Sequence, residues 1–178
     1  VSGSPGTVEA RGPWALAFAA FYRLVRVLDP PIRAWWRRFG LADTVELVVR
    51  GRRSGRPRSV LVGLLVVGGR SYVGHPSGDS GWTRNLRAAG RAVVVDRRGR
   101  GRAVRATLLA AGRERSAAIE ATWQQHPWPA RPLYRAARSH ILRFGVYFRL
   151  DPDIETVGLD EPAGPRDDPG RATGPAGS

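Results

Sequence analysis

Two runs of branched, apolar residues, Thr44 to Val49 (TVELVV) and Val60 to Val67 (VLVGLLVV), flank the loop RGRRSGRPRS. Runs of this length and valine content predict strands, and so short a connection predicts that they pair antiparallel. The loop holds five arginines, at positions 50, 52, 53, 56 and 58, and glycines at 51 and 55. Like charges packed this closely repel one another unless water, acidic neighbours or a bound anion compensates them. Acidic neighbours are scarce, because Glu46, Asp79 and Asp96 are the only carboxylates from Thr44 to Arg105. Glu46 alternates with apolar residues, so it faces solvent or offsets Arg50.

The rest of the chain extends this strand pattern. Gly68-Gly69 turns the second run into a third strand at Ser71 to Gly74, which makes a meander. HPSGDS, from His75 to Ser80, reads as loop, and WTRNLRAA, from Trp82 to Ala89, as a short helix capped by Gly90. Ala92 to Asp96 and Arg102 to Leu109 form a hairpin around Arg97 to Gly101, and Val146 to Leu150 is the last strand. Arg113 to Gln124 is a helix with Ala117, Ile119 and Trp123 inward, and Leu133 to Leu142 is another. Six or so mostly antiparallel strands with short hairpins argue against a Rossmann sheet. They favour a mainly β small barrel with flanking helices, in which closure removes the sheet edges.

Four segments follow: a loose tail over 1–12, helices over 13–40, a barrel domain over 41–159, and a tail over 160–178 that lacks residues able to pack. WALAFAAFYRLVRVL, from Trp14 to Leu28, is a helix stopped by Asp29-Pro30-Pro31, and Ile32 to Phe39 is a second with Pro31 near its start. Tryptophans beside arginines on short apolar helices suit an anchor on an anionic membrane surface through residues 14 to 39, a lid over a ligand pocket, or core and dimer packing. No run of 18 or more apolar residues is present, and the polar first residues predict no secretory signal. The expected location is cytoplasmic, free or peripheral on the cytoplasmic face of the inner membrane.

Absences narrow the chemistry. With no cysteine, disulfides, thiolate metal sites and a cysteine nucleophile are excluded. His75, His126 and His140 have no metal-site spacing, so no metal is expected, and His126 and His140 read as surface or helix-end residues. Ser54 and Ser77 lack a placed histidine–carboxylate pair, and paired-carboxylate chemistry has too few carboxylates. The formal net charge is +14 over 178 residues, which favours phosphorylated ligands, nucleic acid or an anionic surface. The glycines of the arginine turn let backbone approach an anion, and guanidinium groups grip phosphate through two hydrogen bonds. Nucleic acid is disfavoured, because no strand shows alternating exposed aromatics and no helix-turn-helix can be placed.

The order of motifs is itself informative. Gly51-Arg52-Arg53-Ser54-Gly55-Arg56-Pro57-Arg58 after a strand, then Ser77-Gly78, then Gly81-Trp82-Thr83-Arg84-Asn85-Leu86-Arg87, closely resembles the deazaflavin (F420)-dependent nitroreductase family of split β-barrel oxidoreductases. The resemblance covers Thr44 to Leu109 well and the flanking helices and last strand more loosely. It implies that Arg52, Arg53, Ser54, Gly55, Arg56 and Arg58 hold the phosphate and acidic tail of coenzyme F420. By the same resemblance Gly81 and Trp82 border the deazaflavin ring, Asn85 fixes the helix start, and Ser77 and Gly78 line the cofactor. The implied activity is hydride transfer to a hydrophobic, electron-poor acceptor such as a quinone or nitro compound, in a homodimer. Tyr147, Tyr134 and Tyr72 are the candidate proton donors that would complete such a site.

The chain departs from the family pattern at three places. Val60 to Leu64 stands where a proline and aromatics are usual, the loop before Trp82 is short, and Ala89-Gly90 replaces Asn-Pro. Two alternatives therefore stay open, a non-catalytic or FMN-using split-barrel protein that binds cofactor or lipid, and a basic nucleic-acid-binding domain.

Overall fold

The computed structural model describes residues 9–27, 29–40, 43–126 and 130–153. The tail over 160–178 and most of the tail over 1–12 lie outside the described residues. Two helices lead, α1 (Pro13–Val27) and α2 (Asp29–Phe39), followed by strands β1 (Thr44–Arg50), β2 (Pro57–Gly63), β3 (Leu65–Val67) and β4 (Arg70–His75). Helix α3 (Gly81–Ala89) precedes the hairpin β5 (Arg91–Val95) and β6 (Gly101–Leu108). Helices α4 (Arg113–Gln125), α5 (Ala130–Ala136) and α6 (Arg138–Phe144) then lead to β7 (Val146–Pro152).

The seven strands form one antiparallel sheet in the order β2-β1-β5-β6-β7-β4-β3. Strands β2 and β3 occupy opposite edges, yet only Leu64 separates them in the chain. The sheet therefore has to curl until its edges meet. Among the described residues strand β2 pairs only with β1, and β4 only with β3 and β7, so no ladder laces the seam between β2 and β4 there. A curled sheet with one open seam and helices around it is a split β-barrel.

This arrangement corrects the meander. Val60 to Val67 was expected as one strand, but Leu64 leaves the ladder and donates its N–H to the Asp43 carbonyl at 2.6 Å. The single expected strand thus becomes two edges of the same barrel. Gly68 and Gly69, with φ of 55° and 76°, make the tight β3–β4 turn, a conformation that costs a residue with a Cβ.

Valine periodicity sets the interior. Val45, Leu47 and Val49 of β1 point inward with Val62, Val73, Val94, Val104, Phe148 and Leu150, and Leu86 of α3 plugs them. A second core packs α4 to α6 on the outside of the sheet through Ile119, Ile141, Tyr72 and Tyr147, with Phe18 of α1 added. Full burial of each large apolar side chain contributes about 1.5–3 kcal/mol. The face of α4 differs from expectation: Ala118, Ile119, Ala121 and Thr122 are buried, Ala117 is exposed, and Trp123 lies half-buried under the Arg138 guanidinium. The helix expected over 133–142 is broken at Ala137 into α5 and α6.

One glycine is fixed by its neighbour. Gly74 pairs with Tyr147 across the β4–β7 ladder, and a Cβ at Gly74 would lie 2.3 Å from the Tyr147 ring. That ring is fully buried and pressed from its other edge by Gly145, where a Cβ would meet it at 2.8 Å. Gly74→Ala is expected to cost about 1–3 kcal/mol through overpacking. At roughly 2–4 °C per kcal/mol the melting temperature should fall measurably. In a Tyr147→Leu background the same change should cost less, and an additive result would remove the contact as its cause.

Candidate ligand site

The open seam holds a cavity of about 470 Å³. One wall is β2 from Ser59 to Gly63 and the opposite wall is Gly74, His75 and Pro76. Ser80, Gly81 and Trp82 at the start of α3 also line the cavity, together with Thr122, His126, Tyr134 and Tyr147. Phe21 of α1 and Arg33 of α2 reach in from the leading helices. Among the described residues no carboxylate lines this space, which suits an uncharged or anionic ligand of cofactor size.

The start of α3 is held rigidly. Ser80 is its N-cap: the hydroxyl accepts from the Thr83 N–H, and Thr83 Oγ1 accepts from the Ser80 N–H at 2.7 Å. Below them Asp79, whose side chain is fully buried, accepts from Thr83 Oγ1 at 3.2 Å and from Arg87 at 3.0 Å. Gly90 ends the helix with φ of 64° and returns its N–H to Leu86. Trp82 packs edge-on to His75 at 6.4 Å and tilted on Phe148 at 6.5 Å. A Cβ at Gly81 would meet nothing within 4 Å, so the helix start is open.

The arginine turn packs against α3. Gly51 and Arg56 close it by a backbone bond of 2.9 Å, Gly55 takes a φ of 66°, and Ser54 Oγ accepts from the Arg56 N–H. Arg52, Arg53, Ser54, Gly55, Arg56 and Arg58 are all exposed, and none of them lines the cavity itself. Arg52 reaches across to α3, where Asn85 Oδ1 accepts from its Nη1 at 3.0 Å and its backbone N–H at 3.3 Å. Asn85 therefore ties the two motifs together; fixing the helix start belongs to Ser80 and Thr83.

Other expected positions redistribute. Gly81 and Trp82 line the cavity, whereas Ser77 and Gly78 do not. Ser77 Oγ bonds His140 Nε2 at 3.0 Å, and Gly78 donates to the Phe144 carbonyl at 2.9 Å, so both anchor the loop to α6. Of the three tyrosines, Tyr134 and Tyr147 line the cavity. Tyr72 lies elsewhere, bonded to Glu114 at 3.1 Å. The Tyr147 hydroxyl pairs with Thr122 Oγ1 at 2.8 Å, and burial raises its pKa, which keeps it protonated. Glu46 pairs with Arg33 and with Arg37 at 3.8 Å rather than with Arg50.

Several lining residues carry no local sequence signal. His126 stands at a helix end, as the C-cap of α4, but also lines the cavity, and His140 is buried at 7% exposure. Phe21 and Arg33 gain their role only from how α1 and α2 fold over the seam. Phe18 and Trp36 are buried, Trp36 donating to the Thr44 carbonyl at 3.0 Å, while Leu16, Trp35 and Phe39 stay exposed. Among the described residues no helix is long and apolar enough to cross a membrane.

All three histidines titrate low. Burial is the chief cause for His75, His126 and His140; for His75 the Gly78 and Ser77 backbone and Asp79 act the other way. A depressed histidine pKa means that the unfolded chain binds protons that the folded protein refuses. Stability should thus decline as pH drops through about 6.5 and level off below the folded-state values. Melting temperatures from pH 7.5 to 5 check this, and a flat profile would contradict it.

No protein-family model and no curated protein matches the chain. Solved structures do. An F420-H2 dependent reductase, FDR-A, is 20% identical with a TM-score of 0.46, over 61% of this chain and 94% of that one. A conserved hypothetical protein from Mycobacterium tuberculosis is 16% identical with a TM-score of 0.45, over 83% and 92%. HutZ, the heme storage protein from Vibrio cholerae, is 15% identical with a TM-score of 0.47, over 71% and 90%. Likeness at this level assigns neither ligand nor activity.

Proposed function

We propose that this split barrel binds a phosphorylated deazaflavin or flavin, with coenzyme F420 the first choice and FMN the second, and reduces a hydrophobic, electron-poor acceptor. The observation that carries the reading is the Arg52–Asn85 contact, which sets an arginine-rich turn against α3, the helix whose first residues line the cavity. The donor set fits such a group: guanidinium and backbone N–H groups outside for phosphate, aromatic and aliphatic walls inside for a flat ring system.

Bound in its reduced form, the cofactor would supply the hydride. This chain's own part is then to bind and to exclude water. Arg52, Arg53, Arg56 and Arg58, with Ser54 and the Gly55 backbone, would grip the anionic tail. Gly81 and Trp82 would orient the ring, and Phe21 would cover it from solvent. Tyr147, kept protonated and bonded to Thr122, and Tyr134 are the lining tyrosines that would stabilise charge developing on an acceptor. Ser77 and Gly78 would contribute by holding the loop that carries His75.

The test is a titration of the purified chain with F420 and with FMN, followed by tryptophan fluorescence, and then oxidation of the reduced cofactor by menadione. Saturable binding of either cofactor with turnover is expected. Binding of neither overturns the proposal, and binding without turnover reduces it to a carrier.

A further inference from the structure

Most polar side chains that line the cavity are already committed. Thr122 and Tyr147 bond each other, Ser80 caps α3, His75 Nδ1 meets the Gly78 carbonyl at 3.1 Å, and Arg33 bonds Glu46 and the Ser59 carbonyl. His126 differs: only its backbone N–H is engaged, with the Thr122 carbonyl at 3.3 Å, and neither ring nitrogen makes a hydrogen bond among the described residues. The ring is nonetheless firmly seated. It lies 4.7 Å from the Tyr134 ring, and its Nε2 and Cε1 fill the space over Gly63, where a Cβ would approach both to 3.1 Å.

The geometry points to His126 as the polar contact for a flat, uncharged, carbonyl-bearing ligand held between β2 and Tyr134. This deepens the reading above by naming the group that recognises the acceptor's oxygen, and it rests on that reading only for what the ligand is used for. The ring is half-buried at the cavity wall, so a ligand oxygen that displaces water from it can take up a nitrogen that no described protein group engages. Burial keeps the ring neutral near pH 7, although the Thr122 backbone and the Asp43 carboxylate act against this. A neutral imidazole has one N–H to donate and adds no charge to an apolar wall. Gly63 is what admits the ring, so that glycine is part of the site.

Equilibrium dialysis of the cofactor-free full chain against menadione and against 2-methylnaphthalene, which has the same carbon frame without oxygens, isolates the contact. Wild type should prefer menadione by about tenfold, the equivalent of one hydrogen bond. His126→Phe should bind both nearly equally, with 2-methylnaphthalene affinity unchanged. An unaltered preference in His126→Phe, or no menadione binding by wild type, overturns the inference. Should that variant not fold, ¹⁵N-histidine spectra of wild type decide instead. The His126 ring nitrogens should shift with menadione and not with 2-methylnaphthalene, and equal responses overturn the inference. Failure of F420 and FMN to bind leaves these outcomes untouched, so the two readings fail separately.

Discussion

Asp79→Ala should destabilise the protein by about 3–5 kcal/mol, the usual cost of removing one partner of a buried ion pair. The Asp79 side chain is fully buried, while Arg87, 3.0 Å away, is only 18% exposed. Removing the carboxylate leaves a largely desolvated guanidinium without it and also strips an acceptor from Thr83, itself part of the α3 cap. Against a typical stability of roughly 5–15 kcal/mol this is a large loss, and at roughly 2–4 °C per kcal/mol it is readable by thermal unfolding. Asp79→Asn keeps the acceptor and loses the charge, so it should fall between. A loss below about 1 kcal/mol for the alanine variant would mean that Asp79 does not organise the helix.

Replacing Arg52 and Arg56 together by alanine should weaken binding of a phosphorylated cofactor by about 100-fold. Each charge-assisted bond contributes roughly 1.5–3 kcal/mol, and the low end applies because the turn is exposed and screened by solvent. Fold stability should barely move, since both side chains are exposed. Asn85→Ala should weaken binding less, by about three- to tenfold, because it releases Arg52 without deleting it. Titrations at two salt concentrations check the origin of the loss, because wild-type affinity should drop with salt and the double variant should respond little. Equal affinity in both chains would separate the turn from the ligand site.

Much of this architecture is legible in the chain before any coordinates. The valine runs at 44–49 and 60–67, the Gly68-Gly69 turn and Gly90 after α3 carry local signals, and those signals survive folding because period and turn chemistry act over a few residues. What the chain hides is long-range. Nothing near Leu64 announces that its N–H goes to Asp43 rather than to the ladder, because that choice depends on where β1 begins once the sheet has curled. The same holds for His126: an isolated histidine after a helix reads as a surface or helix-end residue, and only Gly63, far away in sequence, reveals the space made for its ring. Asn85 and Arg52 sit in separate motifs, and their contact is a product of the barrel.

Strand β7 also bears on how the molecule comes into being. It enters the sheet between β6 and β4, so without it the order falls into two unconnected pieces, β2-β1-β5-β6 and β4-β3. The partners of β7 on β4, such as Ser71 with Leu150, are distant in sequence, and loop-closure entropy has to be met before they contribute. During synthesis from the N-terminus the earlier strands can pair locally, but the seam and its cavity take shape only after Val146–Pro152 has been made. The cavity, which Tyr147 of β7 helps to line, is therefore complete only once β7 joins the two pieces of the sheet.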